Sequence, residues 1–249
     1  MKHTATTLKA QEKLMNLSGY PVEIVTMKEF AISSGLLNVE SYLGVHYFDG
    51  EQHIIGVNSE KPETNESTFV HECIHAILDI EGFPKVKIDY KGSEDITINK
   101  NCDLLAAFLS SAIQHPEVYR RMDKEFNIDM RNYFQGLLIQ KKSRLTKKDS
   151  VSQGGLDAVL SNQQDIIDGF EYFFYSENEQ KEILDLFKKV SPSAFDFLQG
   201  IRKKSKLDFY SPSKARVSAL DFFERIKKYG EKKAGQSLNT MFWDKISIE

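Results

Sequence analysis

The sequence predicts an α+β protein: a small domain in which a short β-hairpin lies beside one buried helix, followed by a mostly α-helical C-terminal region. Three observations carry this expectation. Two apolar-rich runs flank Asp49-Gly50, a strong short-range hairpin signal. Phe69, Val70, Cys73, Ile74, Ile77, Leu78 and Ile80 recur at helical spacing. Beyond residue 101 the apolar pattern is helical almost throughout. With 249 residues and 41 % hydrophobic content, the chain can bury one substantial core or two smaller ones.

The elements follow in order. A helix is expected over Leu8–Leu17, then an extended entry at Tyr20–Val25 and a helix near Met27–Ser33. Leu43–Phe48 and Gln52–Asn58 form the hairpin around a tight turn at Asp49-Gly50. Pro62 punctuates the next loop, Thr64 or Asn65 can cap the following helix, and Glu63 and Glu66 suit its positive end. That helix should end near Gly82, before Pro84. Lys85–Ile98 reads as an irregular or extended connector. Asn101–Gln114 is a strongly apolar helix closed by Pro116. Helices are then expected at Glu117–Phe126, Asp129–Lys141, Leu156–Tyr175, Glu177–Val190, Pro192–Lys204 and Ser213–Tyr229. Ser176-x-x-Glu179 resembles a capping box, Ser191-Pro192 and Ser211-Pro212 mark helix starts, and Gly230 is a natural C-cap. The aromatic run Phe170–Tyr175 is read as a core or partner-facing helix. The polar stretch 143–155, ending in Gly154-Gly155, is the expected linker between a domain at 1–142 and a helical domain at 156–249.

The net charge of −3 conceals an asymmetry: residues 1–116 hold 9 basic and 16 acidic side chains, and residues 117–249 hold 24 and 20. The basic clusters at Lys141–Lys148, Arg202–Lys206 and Lys227–Lys233 are read as solvated faces and helix ends, because no nucleic-acid motif accompanies them. The N-terminus has no continuous apolar segment and no run is long enough to span a bilayer, so the expected compartment is cytoplasmic, with no membrane partner. Two cysteines, Cys73 and Cys102, cannot make a disulfide framework, and Cys73 is expected as a small buried hydrophobe.

The chemistry is concentrated in His71-Glu72-Cys73-Ile74-His75. Such a pentapeptide arises by chance in about one chain in a hundred of this length, so its context decides. Here it sits on a helix. Four residues is close to one turn, which brings both imidazoles to one metal ion, and Glu72 is placed to take a proton from an attacking water. A buried helix carrying two histidines and a glutamate would strand polar groups unless a metal satisfied them. The expected chemistry is zinc-dependent hydrolysis, most often of peptide bonds. His46 and His53, on the hairpin, are expected as surface or cross-strand residues.

A catalytic zinc needs a third protein ligand. A metzincin pattern would put Gly at position 78 and a ligand at position 81, where this chain has Leu78 and Glu81. Glu81 is therefore read as a helix-end carboxylate, and Asp79 lies too far along the axis to close a tetrahedron. Asp103, an acidic residue entering an apolar helix, is the leading candidate, although capping that helix explains it as well. Asn99, one turn earlier, and His115, after the same helix, are the others.

The order of these elements, with Gly19-Tyr20-Pro21-Val22, the 44–58 hairpin, Thr68-Phe69-Val70-His71-Glu72-Cys73-Ile74-His75 and Cys102-Asp103-Leu104-Leu105-Ala106-Ala107, resembles the ImmA/IrrE family of zinc metallopeptidases over about residues 8–116. The resemblance implies a small zincin-like metallopeptidase domain, His71 and His75 as Zn2+ ligands, and Glu72 as the catalytic base. It also implies cleavage of a specific intracellular protein, typically a DNA-binding repressor of a stress response or mobile element. The chain departs from the family pattern at Ile74, where Gly is usual. It departs again at the third ligand, a Glu that opens a Glu-x-x-Ala-(Asn/Asp) helix in the family: one alignment puts Asn99 there and the preferred one puts Asp103. In this reading the Ile54–Asn58 strand offers an edge to an extended substrate, and the helical C-terminal half supplies selectivity as an exosite. An incomplete site would instead make the chain a non-catalytic metal-sensing or binding module.

Overall fold

Three short strands build the sheet that carries the candidate site: β1 (Val22–Thr26), β2 (Gly44–Phe48) and β3 (His53–Val57). Their order is β1-β3-β2, with β3 parallel to β1 and antiparallel to β2. The hairpin stands as expected, but its tip is Gly50-Glu51, one residue beyond the expected Asp49-Gly50. The Asp49 N–H donates to the Gln52 carbonyl at 3.2 Å, which extends the ladder past Phe48. The Asp49 carboxylate accepts from the N–H groups of Glu51 (2.8 Å) and Gln52 (2.7 Å), and Gly50 supplies a φ of 101°. A second correction concerns β3. It is paired on both sides and is therefore the centre of the sheet, not the substrate edge expected of Ile54–Asn58; β2 is at the margin.

The described residues are 4–34, 43–58, 65–89, 96–130, 165–167, 169–170, 177–204, 206–234 and 246–249 of this computed structural model, which mixes α-helices with two small sheets. They belong to two units, Met1–Gly82 with Glu117–Tyr133, and Phe83–Pro116 with Phe134–Glu249. The expected linker 143–155 and helix Asp129–Lys141 lie almost wholly outside the described residues, as does most of Leu156–Tyr175. Among the described residues no helix is long and apolar enough to cross a membrane.

In the first unit, helix α1 (Ala5–Ser18) is capped by Thr4, whose hydroxyl accepts from the Thr7 N–H at 3.1 Å. Helix α2 (Met27–Ser34) follows β1 directly. Glu29 reaches back to accept from the Thr26 N–H at 2.8 Å, a capping contact the sequence reading had not singled out. Alternation along the strands then divides the sheet into two faces. Ile54, Val25 and Val45 meet Met27 and Phe30 of α2 on one face. Gly44 meets helix α3 (Asn65–Ile80) on the other, against Thr68 and Glu72. Helix α3 buries Phe69, Val70, Cys73, Ile74, Ile77 and Leu78, as the spacing predicts, but leaves Ile80 exposed at its end, and the chain turns away at Gly82 with φ 81°.

Helix α4 (Ile96–Phe126) corrects two expectations together. It absorbs both the helix expected at Asn101–Gln114 and the one expected at Glu117–Phe126, with Pro116 inside it. An internal proline costs about 3 kcal/mol. Here the cost is offset by burial on both sides, where Leu109, Ile113, Val118 and Met122 are fully enclosed. Of the connector expected at Lys85–Ile98, residues 90–95 lie outside the described residues and Val86–Ile88 is extended. This segment, β4 (Val86–Ile88), pairs antiparallel with β5 (Ile246–Ile248), a strand the sequence did not announce.

The second unit adds helices α5 (Glu177–Val190), α6 (Pro192–Lys204) and α7 (Pro212–Ala234), the first two at their expected limits. Ser191 and Ser211 start α6 and α7 as expected, their carbonyls accepting from Phe195 and Ala215 at 3.0 and 2.8 Å. Gly230 is not a cap: α7 runs through it, and it is buried there. Phe170 packs at 4.4 Å from Phe222 and 5.3 Å from Phe209, ring centre to ring centre, so the start of the aromatic run is core.

The sheet face beneath α2 has no spare room, since a Cβ on Gly56 would lie 2.9 Å from two atoms of Phe30. Gly56→Ala is expected to lower stability by about 1–3 kcal/mol. A lower urea midpoint with an unchanged slope would show this, whereas an unmoved midpoint would mean that α2 yields freely.

Candidate metal centre

Helix α3 brings His71 and His75 together as one-turn spacing requires. Their Nε2 atoms stand 3.0 Å apart and their rings meet at 68°, with centroids 4.7 Å apart. Two imidazoles on one tetrahedral zinc, at bonds of about 2.0–2.1 Å, would hold their nitrogens about 3.3 Å apart, so the observed spacing, which is also that of a hydrogen bond, needs only a small adjustment to become that of a ligand pair. His71 is buried and His75 half-buried. A hydrogen bond between them needs one ring to present a proton to the other; a shared cation satisfies both lone pairs at once.

The third histidine comes from α4. One ligand nitrogen of His115 lies with those of His71 and His75 in a group whose members are all within 4.8 Å of one another, and the three can hold a metal ion. His115 was the weaker candidate in the sequence because Pro116 reads as a helix end. Once α4 continues through the proline, His115, Tyr119, Met122 and Phe126 share one face at helical spacing, and the last three are buried. That periodicity across the proline was the available signal. Tyr119 sits one turn beyond His115, with its ring 5.9 Å from that of His71. The other two candidates, Asp103 and Asn99, are in α4, but their side chains lie outside the described residues, as does that of Cys102.

The meeting of α4 with α3 is held by charge. Arg121 donates to both oxygens of Glu81, at 2.9 and 2.5 Å, and to Glu117 at 2.7 Å. Glu117 is 1 % exposed and also accepts two 2.6 Å bonds from Arg120. Glu81 is thus the helix-end carboxylate that the sequence reading expected, engaged with arginine. Lys13 of α1 binds Glu125 at 2.5 Å, extending the network. Burial opposes the Arg121 charge, and its hydrogen bonds to Glu81 and Glu117 outweigh that, so its pKa rises further.

Glu72 lies beside Gly44 of β2. The residue is partly exposed, and desolvation of its carboxyl group by the surrounding protein raises its pKa to about 8. A carboxyl poised near neutrality is suited to accept and return a proton. Cys73 is buried, and burial, aided by the Glu72 charge, pushes its thiol well up, which leaves it unreactive. His46 and His53 pair across the hairpin, Nε2 to Nδ1 at 2.9 Å, as a cross-strand contact. Burial lowers the pKa of His53, and the charges of Asp49 and Asp79 partly oppose this.

Compared with family profiles, with curated proteins and with solved structures, the chain matches none.

The raised Glu72 pKa has a consequence for stability. Between an ordinary carboxyl pKa and about 8 the folded state binds a proton that the unfolded state has lost, so stability falls as pH rises across that window. The slope is at most about 1.4 kcal/mol per pH unit. Metal-free protein titrated by urea from pH 5 to 8 should lose stability, and Glu72→Gln should flatten the trend; parallel curves would refute the assignment. Separately, Arg121→Met leaves Glu81 and part of Glu117 without their cation. It should cost about 3 kcal/mol by the same measurement, and an effect below about 0.5 kcal/mol would remove Arg121 as the clamp.

Proposed function

We propose that the chain is a zinc-dependent endopeptidase with a zincin-like catalytic domain, with His71, His75 and His115 as metal ligands and Glu72 as general base. The observation that carries this reading is the convergence of three imidazoles on positions that one ion could bridge, with Glu72 next in the chain to His71. The donor set suits zinc, since three neutral nitrogens are a known catalytic arrangement that leaves a fourth position open. A divalent ion held by His71, His75 and His115 would supply Lewis-acid chemistry, lowering the pKa of a water towards roughly 7 and polarising a carbonyl.

The chain's own groups supply the rest. Glu72 accepts the proton of the attacking water and delivers it to the leaving amine, a round trip that its raised pKa favours in both directions. β2, at the margin of the sheet, offers backbone groups to an extended peptide, and its Gly44 end is next to Glu72. A peptide added there as a further strand passes the proton acceptor. The substrate, by the resemblance to ImmA/IrrE peptidases, is a specific protein such as a DNA-binding regulator. The helical C-terminal half acts as the selecting surface.

Elemental analysis of untagged protein should find about one zinc per chain, as a single three-histidine site requires. The zinc should be lost in His71→Ala and His115→Ala and kept in Asp103→Ala. Loss with Asp103 and retention with His115 would reverse the ligand assignment. Incubated with a cell lysate, wild type should generate new protein N-termini that Glu72→Gln, still metal-loaded, does not. Identical N-termini from both would favour a metal-binding module without turnover.

A further inference from the structure

Gly44 is the first residue of β2 and faces α3. A Cβ built on it would lie 2.4 Å from Cγ2 of Thr68, 2.9 Å from Cγ of Glu72 and 3.0 Å from Oε1 of Glu72. Thr68 and Glu72 are one turn apart on α3, so a single strand position touches both. The two are not equally able to give way. Thr68 is 3 % exposed and β-branched, with one strongly restricted χ1. Glu72 has three rotatable bonds, and its carboxyl group is the flexible end of the pair. A side chain at position 44 would therefore meet the rigid Thr68 methyl group first and, with that methyl removed, would press on Glu72, whose carboxyl group is the part able to swing aside.

We infer that Gly44 is a positioning residue for Glu72: its missing side chain is the niche that lets the carboxyl group lie against the sheet margin, aimed at the bond to be cut. The inference rests on the peptidase reading for its catalytic consequence and on geometry alone for the niche. It explains why β2 begins with a residue of poor strand propensity while the rest of the strand, Val45-His46-Tyr47-Phe48, is β-branched or aromatic.

The test compares wild type, Thr68→Ser, Gly44→Ala and Gly44→Ala/Thr68→Ser by crystal structure, zinc content and hydrolysis of fluorescein-labelled casein. Gly44→Ala meets the Thr68 methyl group and is the harsher change. The double variant removes that methyl and decides the matter. Thr68→Ser should behave as wild type. The double variant should keep wild-type zinc, displace the Glu72 carboxyl carbon by about 1 Å or more and lower kcat about 100-fold with KM unchanged. A carboxyl group that keeps its place relative to His71 and His75, with the strand retreating instead and kcat intact, would overturn the inference. If zinc-loaded wild type leaves casein uncut, the peptidase reading is decided by the lysate N-termini, while the carboxyl position in the double variant still decides the role of Gly44.

Discussion

The ion network around Arg121 is the interaction on which the candidate centre depends. His71 and His75 are placed by α3 alone, since one turn of helix is enough. His115 has no such local guarantee. It comes from another helix, whose rotation and axial position must both be right, and the Glu81–Arg121–Glu117 contacts fix both within two turns of it. Buried ion pairs seldom add much net stability, because the desolvation penalty rivals the Coulombic gain. Their value here is geometric: a fork of five donors engaging two carboxylates accepts few arrangements, where an apolar contact would accept many.

The same helix α3 carries opposed demands. It must bury an apolar stripe to hold the first unit together and must also keep two imidazoles and a carboxyl group where chemistry can use them. The strain is visible at its polar members. Thr68 Oγ1 is buried without a hydrogen-bond partner, and Glu72 is driven towards its neutral form. Both lie on the side turned to Gly44. Polar groups held against their preference cost stability and are found where function requires them.

What the sequence made legible is what local physics decides. Helix starts at Ser191-Pro192 and Ser211-Pro212, the turn at Gly82, the hairpin and the motif helix all follow from residues within a few positions of one another. The misreadings share a different cause. Pro116 was read as a stop because its local cost is real, but burial on either side outweighs it, and with the continuation of α4 went the best clue to His115. Gly230 was read as a cap by the same local logic. β3 was read as an edge because its parallel partner β1 lies beyond an intervening helix and hairpin strand. β4 was read as connector because its partner is far along the chain. Propensity cannot see pairings that depend on tertiary contact.

The clasp between β4 and β5 sets an order of events during synthesis. Val86–Ile88 emerges from the ribosome long before Ile246–Ile248 exists, and at about 5–20 residues per second the interval is on the order of ten seconds. Through that time β4 waits with an unpaired edge. Its sequence is suited to waiting: it is only three residues long and carries Lys87 between Val86 and Ile88, and a short edge bearing a lysine resists pairing with a stranger. The first unit faces no such delay, because its last described residues, up to Met130, follow soon after, so all three histidines are translated long before β5.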